Sequence, residues 1–315
     1  MKLRDLVESY IDYKRSLGMR FRTDAQTLRA YCRTIGEVVV DDVKPEMVLA
    51  FIAGDGPVNT SWRQKFRVLG SFYRYALGRG FATDSPLPTS LPQFPPPLTP
   101  YIYSVDELER LLAATDTLQA PNSPLHATSV RTLLLLLYGT GMRIGEALAL
   151  TLTDIDLAEQ ILTIHNTKFF KTRLVPIGPR LTAALVDYAS RRRQLPMPVG
   201  EDSAFIATRT GKRWHYRNFN KQFCRIRRAA EIERESSARY QPRIHDLRHT
   251  AAVHRVVAWY RSGANVQRLL PHLATYLGHV DVGSTQRYLY MTAELLHEAN
   301  LRFEQYAKPE EVRHE

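Results

Sequence analysis

The sequence predicts a mainly α-helical protein with a small β-hairpin or sheet, built as two domains. Apolar residues recur with a helical period along most of the 315 residues, and one pair of short segments is rich in β-branched residues. A proline-rich stretch separates the two parts of the chain. We therefore expect a helical domain at residues 1–85, a linker at 86–103, and an α+β domain at 104–315 that ends in a C-terminal tail.

The first domain is predicted to contain four helices. They are expected from Leu3, over Asp24–Val38, from Pro45, and over Asn59–Leu77. Pro45 suits a first helical turn because its missing amide hydrogen has no partner there in any case. The fourth helix carries Arg63, Lys65 and Arg67, which predict a basic face.

The domain boundary is predicted from composition. Seven prolines lie between residues 83 and 100. Proline removes a backbone donor and disfavours helix at the residue before it, so this stretch is expected to be extended and semi-rigid. Ser104 with Glu107 three residues later forms the pattern of a capping box, which predicts a helix at the start of the second domain.

The second domain contains one clear β pattern. Ile161–His165 and Arg173–Pro176 flank a polar turn and predict a hairpin. Ala204–Thr208 is a candidate for a further short strand. Leu133–Tyr138 is apolar and ends at a Gly-Thr-Gly sequence, after which a new helix is expected.

Charge and composition exclude several classes of protein. No apolar run approaches the roughly 20 residues that span a bilayer, and two cysteines are too few for a disulfide framework or a four-thiolate zinc site. The formal net charge of +11 favours a polyanionic partner. Residues 210–255 hold twelve Lys or Arg against four Asp or Glu, interleaved with aromatics, a composition typical of nucleic-acid contact. Lys212 and Arg213 begin this stretch.

The segment His245-Asp246-Leu247-Arg248-His249 has two interpretations. Histidines four residues apart share a helix face, as in the H-E-x-x-H zinc sites. Asp246 is one methylene shorter than the glutamate of that motif, and the cation of Arg248 disfavours a nearby metal ion. In the other interpretation, His245 and Arg248 work as a pair and His249 packs or caps. No nucleotide-binding glycine motif and no G-x-S-x-G sequence is present.

Two further segments complete the set of motifs. Thr140-Gly141-Met142-Arg143-Ile144-Gly145-Glu146 predicts a turn and a helix start with Arg143 at its N-terminus, where a phosphate could be held. Leu277-Gly278-His279 is followed nine residues later by Tyr288. In this order and spacing, the three segments resemble the tyrosine recombinases of the phage-integrase family. The resemblance covers essentially the whole chain, including the helical domain and the proline-rich linker.

The resemblance implies a DNA breaking-and-joining reaction that uses neither metal ion nor nucleotide, so no cofactor is expected. A tyrosine attacks a backbone phosphate, forms a 3′-phosphotyrosyl bond and releases a 5′-hydroxyl. Tyr288 matches the nucleophile, while Tyr290 and Tyr276 do not fall at the family spacing. A phenol is a weak nucleophile at neutral pH, and the transition state gathers negative charge, so a proton acceptor and two arginine forks suit the chemistry.

The other site residues follow from the same resemblance. Arg143 and Arg248 match the two arginines, His245 the general base or proton shuttle, and His279 the phosphate-bonding position. Glu146 would orient its neighbours. Lys168 matches the lysine that protonates the leaving oxygen, and Lys171 is the alternative, because the glycines that often flank this lysine are absent. The candidate DNA contacts are Lys171, Arg173, Arg63, Lys65, Arg67, Lys212 and Arg213.

The expected partner is double-stranded DNA with a specific recombination site, bound by a homo-oligomer in a tetrameric synapse. No membrane association is expected, and the family suggests the bacterial cytoplasm, at the nucleoid. The tail from Thr292 to Tyr306 is amphipathic and suits docking either on a neighbour or on its own domain. The alternatives are a type IB topoisomerase and a non-catalytic DNA-binding protein on the same scaffold.

Overall fold

The structure is a computed structural model that describes residues 1–54, 58–96, 98–119, 126–165, 172–235, 238–278, 283–286 and 295–301. The chain divides into two compact units, Met1–Leu98 and Thr99–Glu315, and this division falls within the predicted linker. Four predicted site residues lie outside the described residues: Lys168, Lys171, His279 and Tyr288.

Four α-helices lie among the described residues of the first unit. They are α1 (Leu3–Ser16), α2 (Arg22–Ile35), α3 (Pro45–Ala53) and α4 (Thr60–Gly78). Asn59 caps α4 by accepting hydrogen bonds from the amides of Ser61 and Trp62. The second helix was predicted to extend to Val38, and this C-terminal boundary is wrong. Gly36 adopts a φ of 91° and stops α2 at Ile35.

The core of the first unit lies between these helices. Leu3, Leu6 and Tyr10 of α1 are fully buried, as their spacing predicts. Tyr31 and Tyr73 share a buried hydroxyl hydrogen bond of 2.8 Å. This unit therefore has a hydrophobic core of its own.

The second unit contains seven longer helices among its described residues. They are α5 (Val105–Ala113), α6 (His126–Thr140), α7 (Ile144–Ala149), α8 (Pro179–Arg193), α9 (Tyr216–Ala229), α10 (Asp246–Arg261) and α11 (Val266–Leu277). The capping box of Ser104 and Glu107 is confirmed at the start of α5. A further short helix, Gly283–Gln286, and the helical segment 295–301 follow α11.

The sheet has three antiparallel strands in the order β1 (Ile155–Asp156), β2 (Ile161–Ile164) and β3 (Arg173–Pro176). The predicted hairpin is confirmed, with Ile164 paired to Arg173. The strand predicted at Ala204–Thr208 is wrong. That segment makes only isolated bridges, from Ala204 to Thr151 and from Ala207 to Arg213, because no continuous ladder partner runs beside it. The two-residue β1 is too short to show a sequence pattern.

The turn between α6 and α7 is tightly packed. Helix α6 continues through Gly139 to Thr140, beyond the predicted end of the apolar run. Gly141 follows with a φ of 62°, and a Cβ there would lie 2.5 Å from Cδ2 of Leu277. Only glycine allows α11 to approach this turn so closely.

The described part of the tail folds back on its own unit. Leu295 is buried in a small core with residues of α10 and α11, and Glu298 forms an ion pair of 2.8 Å with Arg261. Within the described part of the chain, no helix is long and apolar enough to cross a membrane.

Candidate active site

Arg248 lies in the first turn of α10 and is almost completely buried, with 3% of its surface exposed. Its Nη1 donates to the carbonyl oxygen of Gly141 (2.7 Å), and its Nη2 donates to that of Leu277 (2.8 Å). A buried cation requires such acceptors, because an arginine keeps its charge at any physiological pH. The two bonds fix the guanidinium between the α6–α7 turn and the end of α11.

Arg143 precedes α7 directly, as predicted. Its Nη2 donates to the carbonyl oxygen of Gly278 (3.3 Å), and its side chain is 41% exposed. Leu277 and Gly278 are consecutive residues, so the two guanidiniums bond to adjacent peptide carbonyls at the C-terminal end of α11. The tertiary structure therefore brings together two arginines that are 105 residues apart in the chain.

Glu146 lies one turn into α7 and is bonded by two arginines. Its Oε1 accepts hydrogen bonds from Nη1 of Arg143 (2.9 Å) and Nη1 of Arg173 (3.2 Å). Its Oε2 accepts from Nη2 of Arg173 (2.7 Å) and from the amide of Arg143 (3.0 Å). Burial raises the pKa of the Glu146 carboxyl, but the bonds from the two arginines outweigh it and hold the pKa below the usual value.

Arg173 begins β3 and points inward. Its side chain and that of Glu146 are each 12% exposed. The sequence suggested a DNA contact for Arg173, and in the structure its guanidinium donates two hydrogen bonds to Glu146.

His245 stands at the N-terminus of α10. Desolvation of its ring, together with the positive charges of Arg248, Arg243 and Arg143, lowers the pKa of His245, against a smaller opposing effect of Asp246. The imidazole is therefore neutral at physiological pH and has a free lone pair to accept a proton.

The imidazole rings of His249 and His245 pack edge to face, with their centroids 4.9 Å apart. Burial, and then the neighbouring His245, lower the pKa of His249 to about 4. The carboxylate of Asp246 accepts hydrogen bonds from the backbone amide and from Nη2 of Arg243, each at 2.9 Å. Among the described residues, no three His, Cys, Asp or Glu side chains are grouped as a metal ion would require.

The predicted basic face of α4 is divided. Arg63 and Arg67 are exposed on the same side, four residues apart; Arg63 stacks on Phe94 and Arg67 pairs with Asp24. Lys65 lies on the opposite side, where its Nζ donates to the carbonyl oxygen of Phe51 at 2.7 Å. The helical period separates Lys65 from the other two by more than half a turn.

Lys212 and Arg213 are exposed on the turn that precedes α9. The sequence interpretation did not single out the helix that follows. Its exposed residues include Arg217, Lys221, Arg225 and Arg228. Because these residues are spaced by three or four positions, they lie on one face of the helix. This basic periodicity could have been recognised in the sequence.

The role of the α11 end was also missed. Carbonyl oxygens carry no sequence signature, so nothing in the pattern of residues indicated that Gly141, Leu277 and Gly278 would accept hydrogen bonds from the site arginines.

Comparison with known proteins places these features in a family. Residues 103–294 match the model of the Phage integrase family. A protein of Sinorhizobium fredii named "Putative integrase/recombinase y4rE" is 35% identical over 295 residues, which cover 93% of each chain. The tyrosine recombinase XerC of Oceanobacillus iheyensis is 29% identical and is aligned over 90% of this chain and 88% of its own.

Solved structures share the fold. The integrase of transposon Tn1549, in complex with transposon right end DNA, is 16% identical with a TM-score of 0.71, covering 98% of this chain and 100% of its own. A lambda integrase dimer bound to a core site is 17% identical with a TM-score of 0.66, and the match covers 93% of this chain and 97% of its own. With the family model matching well over half of its length, the chain belongs to the phage integrase family of tyrosine recombinases.

Proposed function

We propose that this protein is a site-specific DNA recombinase that cleaves and rejoins double-stranded DNA through a 3′-phosphotyrosyl intermediate. The observation that carries the proposal is the convergence of Arg143 and Arg248 at the end of α11, with the neutral ring of His245 beside them. Two fixed cations and a proton acceptor are what the attack of a phenol on a phosphodiester requires.

The chemistry divides among named residues. The hydroxyl oxygen of Tyr288 attacks phosphorus, and its proton passes to His245. Arg143, Arg248 and His279 bond the non-bridging oxygens as charge develops on them. The 5′-oxygen leaves with a proton from Lys168, or from Lys171. Attack by the 5′-hydroxyl of a partner strand then breaks the phosphotyrosyl bond, so the number of phosphodiester bonds is conserved and no external energy is needed.

The DNA contacts are proposed from charge and exposure. Residues 1–85 form a helical core-binding domain that reaches DNA through Arg63 and Arg67, and residues 104–315 form the catalytic domain, with Lys212 and Arg213 on its surface. Phosphate contacts of this kind give affinity and position without reading sequence.

The assembly is proposed to be a homo-oligomer on DNA, as a tetrameric synapse. Solved relatives include a lambda integrase dimer bound to a core site and a tetramer bound to a Holliday junction. A protein that recombines chromosomal or mobile DNA would act in the bacterial cytoplasm, at the nucleoid.

The test is covalent capture. The protein is incubated with a pool of nicked duplexes that tile the DNA flanking its gene, and adducts are separated on a denaturing gel. We expect a protein–DNA adduct with the wild type and with Tyr290→Phe, and none with Tyr288→Phe, because only Tyr288 has the family spacing from His279.

Three results would contradict the proposal. An adduct that survives Tyr288→Phe would remove the assigned nucleophile. DNA binding by the wild type without any adduct would indicate a non-catalytic binding protein. Relaxation of supercoiled DNA by a monomer, without strand exchange, would indicate a type IB topoisomerase.

A further inference from the structure

The site contains a third arginine for which the reaction assigns no role. Arg173 forms a two-pronged ion pair with Glu146, with donor–acceptor distances of 3.2 and 2.7 Å. The Glu146 carboxylate also accepts hydrogen bonds from the side chain and from the backbone amide of Arg143. Arg173 and Glu146 are each only 12% exposed, so their charges interact with little screening by water.

The charges of this cluster raise a problem for phosphate binding. Arg143 and Glu146 alone form a neutral pair, and a carboxylate beside a phosphate repels it. The buried carboxylate would therefore cancel the charge of one of the two arginines that must hold the phosphate. Adding the guanidinium of Arg173 returns one net positive charge to the three groups.

The geometry shows that Arg173 also supports the end of α11. A Cβ on Gly278 would lie 2.6 Å from Nη1 and 2.8 Å from Cζ of Arg173, so the guanidinium packs directly against the Gly278 backbone. The same Gly278 carbonyl accepts from Arg143. The residue after Gly278 is His279, which the proposed mechanism uses.

We infer that Arg173 is a positioning residue of the recombination site: it neutralises Glu146, so that Glu146 orients Arg143 without cancelling its charge. This inference rests on the proposed function. Arg173 acts through Glu146, and the DNA phosphate is bonded by Arg143 and Arg248.

The test is a double-mutant cycle on the rate of adduct formation, with a duplex from the flanking-DNA pool that captures the wild type. Arg173→Met removes the charge and leaves the carboxylate uncompensated, and we expect the rate to fall about 100-fold. Glu146→Gln removes the carboxylate charge but keeps an acceptor, and we expect at most about a 10-fold loss. In E146Q/R173M nothing remains to be compensated, and we expect the rate to recover to within about 10-fold of the wild type.

Arg29→Met is the matched control, because Arg29 forms a comparable two-pronged ion pair with Glu8 in the first unit. It is expected to leave the adduct rate unchanged. If R173M alone does not fold, as judged by thermal melting, the comparison is made between E146Q and E146Q/R173M. Rates equal within about threefold support the inference.

Two results would overturn it. A double variant as slow as R173M, or about 100-fold slower than E146Q, would mean that Arg173 acts by a route other than Glu146, through the Gly278 backbone or by contact with the DNA. Absence of a wild-type adduct on every duplex of the pool would instead overturn the proposed function, and this inference with it. The two failures are therefore distinguishable.

Discussion

At the scale of single residues, the site is held in place by main-chain acceptors. Arg248 uses two of its nitrogens to bond the carbonyls of Gly141 and Leu277, and it is buried. In the proposed reaction, a cation held in this way loses little freedom when a phosphate arrives, so its attraction to the transition state is not spent on ordering the side chain. Lysine could not replace this fork, since it has a single nitrogen.

The half-buried histidine His249, next to the site, predicts a pH-dependent stability. The pKa of His249 is about 4 in the folded protein, below the ordinary value of about 6.5. Between these values the unfolded chain binds the extra proton and the folded chain does not, so stability falls as the pH falls. We expect the free energy of unfolding to drop by about 1–2 kcal/mol between pH 6.5 and pH 5.

Chemical denaturation at several pH values measures this loss. His249→Asn removes the titrating group, and its stability is expected to change less over the same interval. Restricting the comparison to pH 5 and above avoids the carboxyl groups, which titrate at lower pH. An unchanged slope in the variant would show that His249 is not the group responsible.

At the scale of elements, the C-terminal end of α11 organises the second unit's site. The turn before α7 contacts it through Gly141, the first turn of α10 through Arg248, and β3 through Arg173. Two glycines with positive φ, Gly141 and Gly278, make these approaches possible. The turn before α7, the first turn of α10 and β3 are distant in the chain. They can meet at the end of α11 because Gly141 and Gly278 have no side chains.

Gly141→Ala tests this packing. An added Cβ would lie 2.5 Å from the buried side chain of Leu277, and a φ of 62° is unfavourable for alanine. We expect a loss of about 2–4 kcal/mol in the free energy of unfolding, from backbone strain and overpacking together. Equilibrium denaturation measures it.

Gly263→Ala is the control, because Gly263 has a φ of 72° but an added Cβ would meet no atom within 4 Å. In this variant the free energy of unfolding is expected to fall by about 1–2 kcal/mol, from backbone strain alone. Equal losses in the two variants would contradict the proposed close approach of α11.

At the scale of the whole molecule, the chain combines hydrophobic cores in both units with a strong positive charge. Each unit buries its own apolar cluster. The net charge of +11 is carried in part by exposed Lys and Arg side chains of both units. Such a surface attracts DNA of any sequence and releases counterions on binding.

This charge predicts a salt-dependent affinity for DNA. Binding to a duplex of random sequence is measured by fluorescence anisotropy between 50 and 200 mM salt, a range in which each phosphate contact contributes about one unit to the logarithmic slope. Replacing Lys212 and Arg213 by alanine is expected to reduce the slope by about two units.

The control removes the same charge elsewhere. Arg15 and Arg191 are exposed but pair with Asp12 and Asp187. Their double alanine variant is expected to keep the wild-type slope. An equal reduction in both double variants would mean that net charge alone, and not contact at the turn before α9, sets the affinity.

The sequence by itself determined the local elements. Apolar spacing predicted α1, the capping box of Ser104 predicted the start of α5, and β-branched residues predicted the hairpin of β2 and β3, because each of these depends on neighbours within a few residues. The order of motifs also predicted the family.

Only the tertiary structure decided what Arg143 and Arg248 bond and which way Arg173 points. A guanidinium is the same residue type whether it faces solvent, a carboxylate or a peptide carbonyl. The ion pair of Arg173 with Glu146 and its packing against Gly278 therefore became visible only once β3 was placed beside them. Its partners are distant in the chain, and the position of backbone carbonyls depends on how helices end and pack, which residue identity does not encode locally.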